Sequence, residues 1–422
     1  MTDIAVVGGG LAGLVAAARL AEAGREVTLF ERDATVGGRV RTRRVDGYTM
    51  DQGFQVLFTA YPAVRAELDR DALDLRYFRP GATLVGPDGR SSFGDPLADP
   101  LGLPGTLLDR TIPLGDKLRL LRLRRDLRRK PVADVLAADD SSIAAYLAER
   151  GFSAAFRDRF AAPFFGGVTL DRSLSTSSVV FEYVFKMLGA GRIAVPADGM
   201  AALPAHLAAR AERAGATFAF DETVEAVADD GADVRVRTDA RTLRADAAVV
   251  ATDPPTARSL TGVGAVPTEG VPNVTQYYRL PGGTSLDTGR RILLNAASEA
   301  PNVVVPLSEV APEYAPDDAE LVCATFLGEG SLERDDAALA ADTRDALDAW
   351  YPSRRIEPEP IHTDRIPFAQ FAQPPGVHDD LPDVRAPDGR IYLAGDYTAW
   401  SSIQGAMRSG REAARAVRSD RS

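Results

Sequence analysis

The hydrophobic pattern of the first thirty residues predicts a strand, a helix and a second strand. Residues 4–7 form an uninterrupted apolar run, which is typical of a buried parallel strand. The alanine-rich stretch at 11–23 predicts a helix that ends at Gly24. Residues 27–30 predict the next buried strand. This alternation favours the α/β fold class.

A glycine-rich turn joins the first predicted strand to the first predicted helix. Gly8 permits the tight turn, Gly10 lets the backbone approach a pyrophosphate, and Gly13 allows the helix to pack closely on the strand. The helix N-terminus supplies N–H groups and a positive dipole for the phosphates. Glu31 follows the second strand, where its carboxylate can accept hydrogen bonds from ribose hydroxyls. Together these elements predict a Rossmann-like, three-layer ββα domain that binds a dinucleotide.

Farther along the chain, the pattern predicts more elements of the same domain. A helix is predicted at 199–214, and short strands are predicted at 216–220, 224–228 and 234–238. A buried strand at 245–250 then leads into a loop marked by Pro254. We expect this strand to return the chain to the first sheet.

The remaining stretches predict a second domain, interleaved with the first. Residues 72–190 are rich in arginine and predict helices, whereas residues 271–330 contain β-type runs at 274–280, 292–295 and 303–306. The sequence therefore predicts a discontinuous cofactor domain made of residues 1–70, 191–262 and 386–422. It predicts a substrate domain made of residues 71–190 and 263–385.

Composition and charge exclude several classes of protein. The 422 residues are 45% hydrophobic and 26% charged, which is typical of a globular protein. The net charge of −11 argues against nucleic acid as a partner. One cysteine and three widely spaced histidines predict neither a metal site nor an internal disulfide. The early first strand leaves no room for a signal peptide, and no apolar stretch is long enough to span a bilayer, so we expect a cytoplasmic protein.

One segment departs from the acidic character of the chain. Residues 114–130 carry eight basic and two acidic side chains, a net charge of +6, so the rest of the chain carries −17. On a helical wheel their leucines form two stripes on nearly opposite sides. The stripes are Leu114, Leu118 and Leu121, and Leu120, Leu123 and Leu127. Either the helix is wedged between two parts of its own protein, or one stripe docks on an anionic membrane surface as a peripheral contact.

A second glycine motif lies near the C-terminus, where Leu393-Ala-Gly-Asp-Tyr-Thr398 precedes Gln404-Gly-Ala406. Together with Glu31 and Gly37-Gly-Arg39, it resembles the motifs of the FAD-dependent amine oxidase, protoporphyrinogen oxidase and carotenoid desaturase superfamily. Residues 51–62 and 394–410 are most similar to plant-type phytoene and zeta-carotene desaturases and their bacterial relatives. The resemblance covers nearly the whole chain and implies an FAD-dependent oxidoreductase whose substrate domain has an α+β fold.

The resemblance also implies roles for individual residues. The glycine turn and Arg39 would contact the pyrophosphate, Glu31 the adenosine ribose, and the backbone of Val224 the adenine. Asp396 would hold the ribityl or pyrophosphate hydroxyls, and the helix starting at Ile403 would direct its dipole at flavin N1 and O2. The implied cofactor-binding set is Gly8, Gly10, Leu11, Ala12, Gly13, Glu31, Arg32, Gly38, Arg39, Val224, Gly395, Asp396, Ile403, Gln404 and Ala406. No cysteine stands in position for a covalent flavin bond, so we expect non-covalent FAD.

The chain departs from the amine oxidases of this superfamily at two points. Those enzymes carry a lysine near flavin N5 and a tyrosine just before the final helix. Here residues 255–422 contain no lysine, and Ser402 precedes the helix. Amine oxidation is therefore the least expected activity. Hydride transfer from an apolar substrate to flavin N5 needs orientation and exclusion of water more than protein acids and bases, so no catalytic side chain is predicted.

The sequence thus predicts an FAD-dependent desaturase of an apolar polyprenoid or carotenoid-type substrate, with a quinone or another electron acceptor. Three alternatives stay open: oxidation of a porphyrinogen, isomerisation of polyene double bonds by reduced flavin, and a flavoprotein without turnover. The candidate residues of the substrate pocket are Phe54, Phe164, Phe165, Tyr183, Lys186, Tyr278, Phe368 and Phe371.

Overall fold

Strands and helices both occur along the whole chain in the computed structural model, which describes residues 2–86, 89–94, 111–297 and 300–421. The strands are β1 (Thr2–Val7), β2 (Val27–Phe30), β3 (Thr42–Val45), β4 (Tyr48–Asp51), β5 (Leu57–Phe58), β6 (Leu75–Tyr77), β7 (Ala82–Gly86), β8 (Gly89–Phe93), β9 (Ile193–Pro196), β10 (Thr217–Ala219), β11 (Val224–Asp229), β12 (Val234–Thr238), β13 (Thr242–Val250), β14 (Gly270–Pro281), β15 (Ile292–Asn295), β16 (Val303–Pro306), β17 (Ala319–Leu327), β18 (Glu359–Phe371) and β19 (Ile391–Leu393).

The helices lie between these strands, and a π-helical turn at Arg157–Ala161 joins two of them. They are α1 (Leu11–Ala21), α2 (Pro62–Glu67), α3 (Leu114–Arg129), α4 (Val132–Leu136), α5 (Ile143–Glu149), α6 (Ala154–Phe156), α7 (Ala162–Thr169), α8 (Ser178–Ala190), α9 (Ala202–Arg213), α10 (Pro254–Thr261), α11 (Leu307–Val310), α12 (Asp336–Trp350), α13 (Val377–Asp380) and α14 (Ile403–Asp420). None of the helices in the described ranges is both long and apolar enough to cross a membrane.

The first sheet has the strand order β10-β2-β1-β13-β12-β11, and β19 pairs with the C-terminal half of β13. The strands from β10 to β13 are parallel, as is β19, whereas β12 and β11 are antiparallel additions. The α/β class predicted from the sequence is confirmed. Every strand of this sheet comes from the three segments predicted for the cofactor domain; the domain boundaries themselves stay a prediction.

Helix α1 is the centre of this first layer. All of its residues except Arg19 are buried, and it packs against the sheet on one side and against α9 and α14 on the other. Small residues permit this close approach, because a Cβ atom at Gly13 would lie 2.0 Å from the carbonyl oxygen of Gly8. At the other surface, a Cβ atom at Gly410 of α14 would lie 2.2 Å from the carbonyl oxygen of Ala12.

The second sheet has the order β18-β14-β17-β16-β15-β7-β8, and its neighbours are antiparallel except for β7 and β15. Alternate residues point to opposite faces of a strand, so the sheet packs on two sides. On one face, Tyr277 and Cys323 join the core shared with the first sheet. On the other face, Tyr278 and Val322 pack in a separate core with α12.

The prediction that residues 72–190 are helical is wrong for their first part. Strands β6, β7 and β8 occupy positions between 75 and 93, and β7 pairs with β15, about two hundred residues away. Residues 82–85 of β7 are buried, but the strand that pairs with them, β15, is distant in sequence. The helix predicted at 199–214 begins only at Ala202, because Gly199 adopts a left-handed conformation with φ of +81°.

Substituting Gly410 tests the close packing of α14 on α1. We expect Gly410→Ala to lower the free energy of unfolding by about 1–3 kcal/mol, since the added methyl group must displace the backbone of Ala12. Gly264→Ala is the matched control, because a Cβ atom there meets nothing within 4 Å. Denaturant titration measures both variants, and equal unfolding midpoints would contradict the proposed packing constraint.

Candidate functional site

A large cavity, with a volume of about 710 Å³, lies between the first and second sheets. One end reaches the glycine turn before α1 and the start of α14, and the other reaches α7, α8 and the inner face of the second sheet. The first end is lined by backbone and charged groups, and the second by apolar side chains. The cavity therefore joins a polar compartment to an apolar one.

The glycine turn forms the wall of the polar compartment. Gly8 has φ of +106°, and a Cβ atom there would lie 2.8 Å from the carbonyl oxygen of Ala251. Above Gly10, by contrast, a Cβ atom would meet nothing within 4 Å, so the cavity is open at this point. No side chain caps the N-terminus of α1 at Gly10. Its backbone N–H groups are therefore available to an anionic ligand.

Glu31 has a structural role beside its predicted contact with ribose. Its carboxylate accepts the backbone N–H of Gly9 at 2.7 Å and that of Asp33 at 3.0 Å. These bonds hold the glycine turn against the end of β2. The side chain is almost fully buried, yet the residue still lines the cavity.

Arg39 and Asp396 connect the two glycine motifs across the cavity. The Arg39 Nη2 donates to Asp396 Oδ1 at 2.7 Å, and its Nη1 donates to the carbonyl oxygen of Ala369 at 3.2 Å. Burial lowers the pKa of Arg39, but the attraction of the Asp396 carboxylate outweighs it and the pKa is raised overall. The second oxygen of Asp396 accepts the Ser401 hydroxyl at 3.1 Å. The guanidinium is thus held as a fixed cation beside the α1 turn.

Most of the predicted cofactor-binding residues line this compartment, and two do not. Gln404 turns away, since its Oε1 accepts the N–H of Ala63 at 2.8 Å. Gly13 lies behind the turn, where it packs on Gly8. The residues that line the cavity are Gly8, Gly10, Leu11, Ala12, Glu31, Arg32, Gly38, Arg39, Val224, Gly395, Asp396, Ile403 and Ala406. An open helix N-terminus, a fixed arginine and a buried carboxylate fit an elongated dinucleotide; its contacts with individual residues stay a prediction.

Three of the predicted pocket residues, Phe54, Phe164 and Phe368, line the apolar compartment. Sequence reasoning missed most of the others there. They are Val56, Phe58, Tyr61, Phe78, Val180, Val184, Ile193, Ile292, Leu294, Val303, Ile366 and Trp400. Val180 and Val184 are four residues apart on α8, so their helical spacing was a signal that could have identified them.

The structure places the other five predicted pocket residues outside the cavity lining. Tyr278 points to the outer face of the second sheet, where its hydroxyl lies 2.7 Å from Thr343 Oγ1. Phe371 belongs to the core on the far side of the first sheet. Phe165 is the neighbour of Phe164 in a helix and so faces elsewhere, with its ring 4.6 Å from that of Phe181. These three predictions fail because side-chain direction depends on strand alternation and helical rotation.

Tyr183 and Lys186, which were also predicted to line the pocket, lie outside it for related reasons. Tyr183 is 2% exposed and lies behind the wall, where it packs against the rings of Tyr61 and Trp400. Lys186 reaches the C-terminus of α3, and its Nζ donates to the carbonyl oxygen of Leu127 at 2.6 Å. Burial lowers the pKa of Lys186. The lysine therefore stabilises a helix end and does not line the cavity.

The loop after β4 is held from the second sheet. Gly53 donates its N–H to Asp364 Oδ2 at 3.1 Å, and Phe54 donates its N–H to Thr275 Oγ1 at 3.3 Å. The carbonyl oxygen of Asp51 accepts the Tyr277 hydroxyl at 2.6 Å. This loop lines the cavity where the polar and apolar compartments meet. Its position therefore depends on both sheets.

The Asp51 carboxyl is the buried anchor of this loop. Its Oδ1 accepts the Thr42 hydroxyl at 2.6 Å and the Met200 N–H at 2.8 Å. Burial raises the pKa of Asp51 from 3.8 to about 6. Because the folded chain binds this proton more tightly than the unfolded chain, the free energy of unfolding falls as the pH rises from 3.8 to about 6.

Asp51→Asn tests this pH dependence. The amide keeps an acceptor for Thr42 and Met200 but cannot ionise, so we expect the variant to match the wild type near pH 4. At pH 7 it should be more stable by as much as about 3 kcal/mol, the free energy equivalent of the pKa shift. Denaturant titrations across this range measure the difference. A constant difference between the two proteins would show that Asp51 does not titrate there.

Comparison with known proteins agrees with this architecture. The chain is similar to a protein from Exiguobacterium sp. 255-15 assigned as a protoporphyrinogen oxidase, with a TM-score of 0.74, 18% identity and 99% of each chain covered. It is also similar to an oxidoreductase from Methanosarcina mazei, with a TM-score of 0.76 and 18% identity over 97% of this chain and 99% of that one. At such low identity these likenesses establish the fold.

The fold and the site together define a flavin-dependent oxidoreductase. The chain belongs to the flavin containing amine oxidoreductase family, whose sequence model matches residues 11–418. A shorter match is 54% identical over 50 residues to a 4,4'-diapophytoene desaturase (4,4'-diaponeurosporene-forming) of Staphylococcus aureus. That match spans 12% of this chain and 10% of the desaturase. The closer similarity to plant-type desaturases stays a prediction.

Proposed function

We propose that the protein binds FAD non-covalently and dehydrogenates an apolar substrate of the polyprenoid or carotenoid type. The observation that carries this proposal is the continuity of the cavity, which runs from the open N-terminus of α1 to the apolar compartment. A dinucleotide bound along the first end would present its flavin near the loop at Gly53 and Phe54. When bound, the flavin would supply the oxidant by accepting a hydride.

The chain itself would position the cofactor and exclude water. The α1 N-terminus and Arg39 would offset the charge of a pyrophosphate, and Glu31 would hold the turn that receives it. On the substrate side, Phe54, Phe164 and Trp400 line the wall. Apolar walls orient a hydrocarbon chain by shape and remove water from the reacting carbon.

The chemistry of the lining favours an apolar substrate over an amine. Among the described residues that line the cavity there is no lysine, histidine or cysteine. Dehydrogenation of a hydrocarbon requires few protein acids and bases, because the cofactor carries the difficult step. The short match to a desaturase supports the same class of reaction. The electrons would then pass to a quinone or another acceptor.

Anaerobic mixing with candidate substrates tests this function. We expect phytoene or zeta-carotene, supplied in liposomes, to bleach the visible absorbance of the oxidised flavin and to yield a product lighter by two hydrogens. Bleaching by protoporphyrinogen alone would replace the proposal with porphyrinogen oxidation, an activity assigned to the Exiguobacterium relative. A product of unchanged mass, formed only with reduced flavin, would replace it with isomerisation.

Variants of Glu31 test the identity and attachment of the cofactor. We expect heat denaturation of the wild type to release FAD, not FMN, into the supernatant. Glu31→Ala should raise the Kd for FAD at least about tenfold, because it removes the acceptor for Gly9 and for the ribose. Glu31→Gln keeps one acceptor oxygen and should lose less affinity. Chromatography of the released cofactor and flavin titration measure these outcomes, and flavin retained in the precipitate would contradict non-covalent binding.

We also propose that the exposed face of α3 contacts an anionic membrane. Leu123 and Leu127 are buried on the protein, whereas Leu114 and Leu118 are each 60% exposed and Leu121 is 36% exposed. The arginines near this stripe include Arg122, whose side chain is 86% exposed. An apolar stripe beside exposed cations matches the surface of an anionic bilayer, which is where apolar substrates reside.

Flotation with anionic liposomes tests the membrane contact. We expect the wild type to float with the vesicles at low salt and to be released as the salt concentration rises. The double variant Leu114→Ser, Leu118→Ser should remain in solution, because it removes the most exposed apolar side chains. Val45→Ser is the control, since Val45 is 45% exposed but lies on β3. Wild-type protein that stays in solution at low salt would overturn the proposal.

A further inference from the structure

The apolar wall of the cavity includes several polar side chains, two of which lie on neighbouring strands of the second sheet. Asn273 on β14 and Thr325 on β17 both line the cavity, and they are 6% and 5% exposed. Within the described residues, neither Asn273 Oδ1 nor Thr325 Oγ1 has a hydrogen-bond partner. A buried polar group without a partner is costly, and native structures contain few of them. Their position on a cavity wall indicates that a ligand supplies the partner.

The register of the second sheet brings the two side chains together. Thr325 pairs with Thr275 and Asn273 pairs with Leu327, so Asn273 and Thr325 are diagonal neighbours on the same face of antiparallel strands. Diagonal neighbours of this kind lie about 7–8 Å apart or slightly less at Cβ. A single small polar group between them can therefore reach both side chains.

The amide of Asn273 is oriented by its neighbours. Its Nδ2 donates to Thr275 Oγ1 at 3.3 Å, and the same oxygen accepts the N–H of Phe54. The amide nitrogen is thus engaged within the sheet, which leaves Oδ1 as the unpartnered atom. Ile366 pairs with Asn273 on one side, Val303 pairs with Thr325 on the other, and both line the cavity. The polar pair is framed by apolar side chains.

We propose that Asn273 and Thr325 form a subsite for a hydroxyl group on the substrate. The unpartnered Asn273 oxygen requires a donor, and the Thr325 hydroxyl can donate or accept. A substrate hydroxyl satisfies both, because it donates to Asn273 and accepts from Thr325. This inference rests on the proposed function and adds that, within its substrate class, a polyprenoid that carries a hydroxyl binds more tightly than a hydrocarbon such as phytoene. A site built to hydrogen-bond a hydroxyl discriminates against the analogue that lacks it.

Binding of a matched pair of ligands tests the subsite without turnover. The pair is geranylgeraniol and the hydrocarbon obtained by removing its hydroxyl. Quenching of tryptophan fluorescence in the FAD-loaded protein reports binding, because Trp400 lines the cavity. We expect the wild type to bind the alcohol about tenfold more tightly than the hydrocarbon, the effect of roughly one hydrogen bond.

Two variants assign that preference to the polar pair. Thr325→Val, which keeps the shape of the side chain, and Asn273→Leu should each bring the two Kd values within about twofold of each other. Thr83→Val is the matched control and should keep the tenfold preference. Thr83 does not line the cavity, and it pairs with Leu293, which belongs to the separate core that packs with α12. Thr325→Val should melt no lower than the wild type, since it removes an unpartnered polar atom.

The outcomes separate failure of this inference from failure of the proposed function. The hydroxyl subsite is overturned if the wild type binds the alcohol and the hydrocarbon equally well. It is also overturned if the preference for the alcohol survives in Thr325→Val and Asn273→Leu. In either case an ordered water would be the partner of the two polar atoms. In that case bleaching of the flavin by phytoene would still support the proposed function. If neither ligand binds and no polyprenoid bleaches the flavin, the proposed function fails and the subsite fails with it.

Discussion

The structure depends on the close approach of α1 to the backbone on both of its sides. Gly13 lets the helix touch the carbonyl of Gly8, and Gly410 lets α14 touch the carbonyl of Ala12. Side chains at these positions would separate the layers and move the N-terminus of α1 away from the turn that it completes. The same contact therefore sets the packing of the first layer and the position of the N–H groups that face the cavity.

The second sheet extends this arrangement into the apolar compartment. On its inner face, Asn273 and Thr325 line the cavity, and its outer face closes a separate core with α12. Asp364 and Thr275 hold the N–H groups of Gly53 and Phe54. The point where the polar and apolar compartments meet is thus fixed by hydrogen bonds from a sheet whose strands are distant in sequence.

The polar compartment combines elements from both ends of the chain. Arg39, after β2, is held by Asp396, just before α14. The Asp396 carboxylate is buried and would be unfavourable alone in a low-dielectric site, so the half-buried Arg39 guanidinium stabilises it. This ion pair thus links the two glycine motifs, and the position of each charged side chain depends on the other. The apolar compartment needs no such pairing, because burial of Phe54, Phe164 and Trp400 is non-directional and tolerates varied packing.

The sequence by itself determined the βαβ start, the glycine turn and the carboxylate at Glu31, because these signals are local and follow the periods of strands and helices. Most of the residues that it predicted for cofactor binding line the polar compartment. Only the tertiary structure decided that residues 82–86 form a strand with β15, and that Phe164 faces the cavity while Phe165 and Tyr278 do not. Pairing between distant strands and the rotation of each helix are set by packing of the whole chain, which no local pattern of residues specifies.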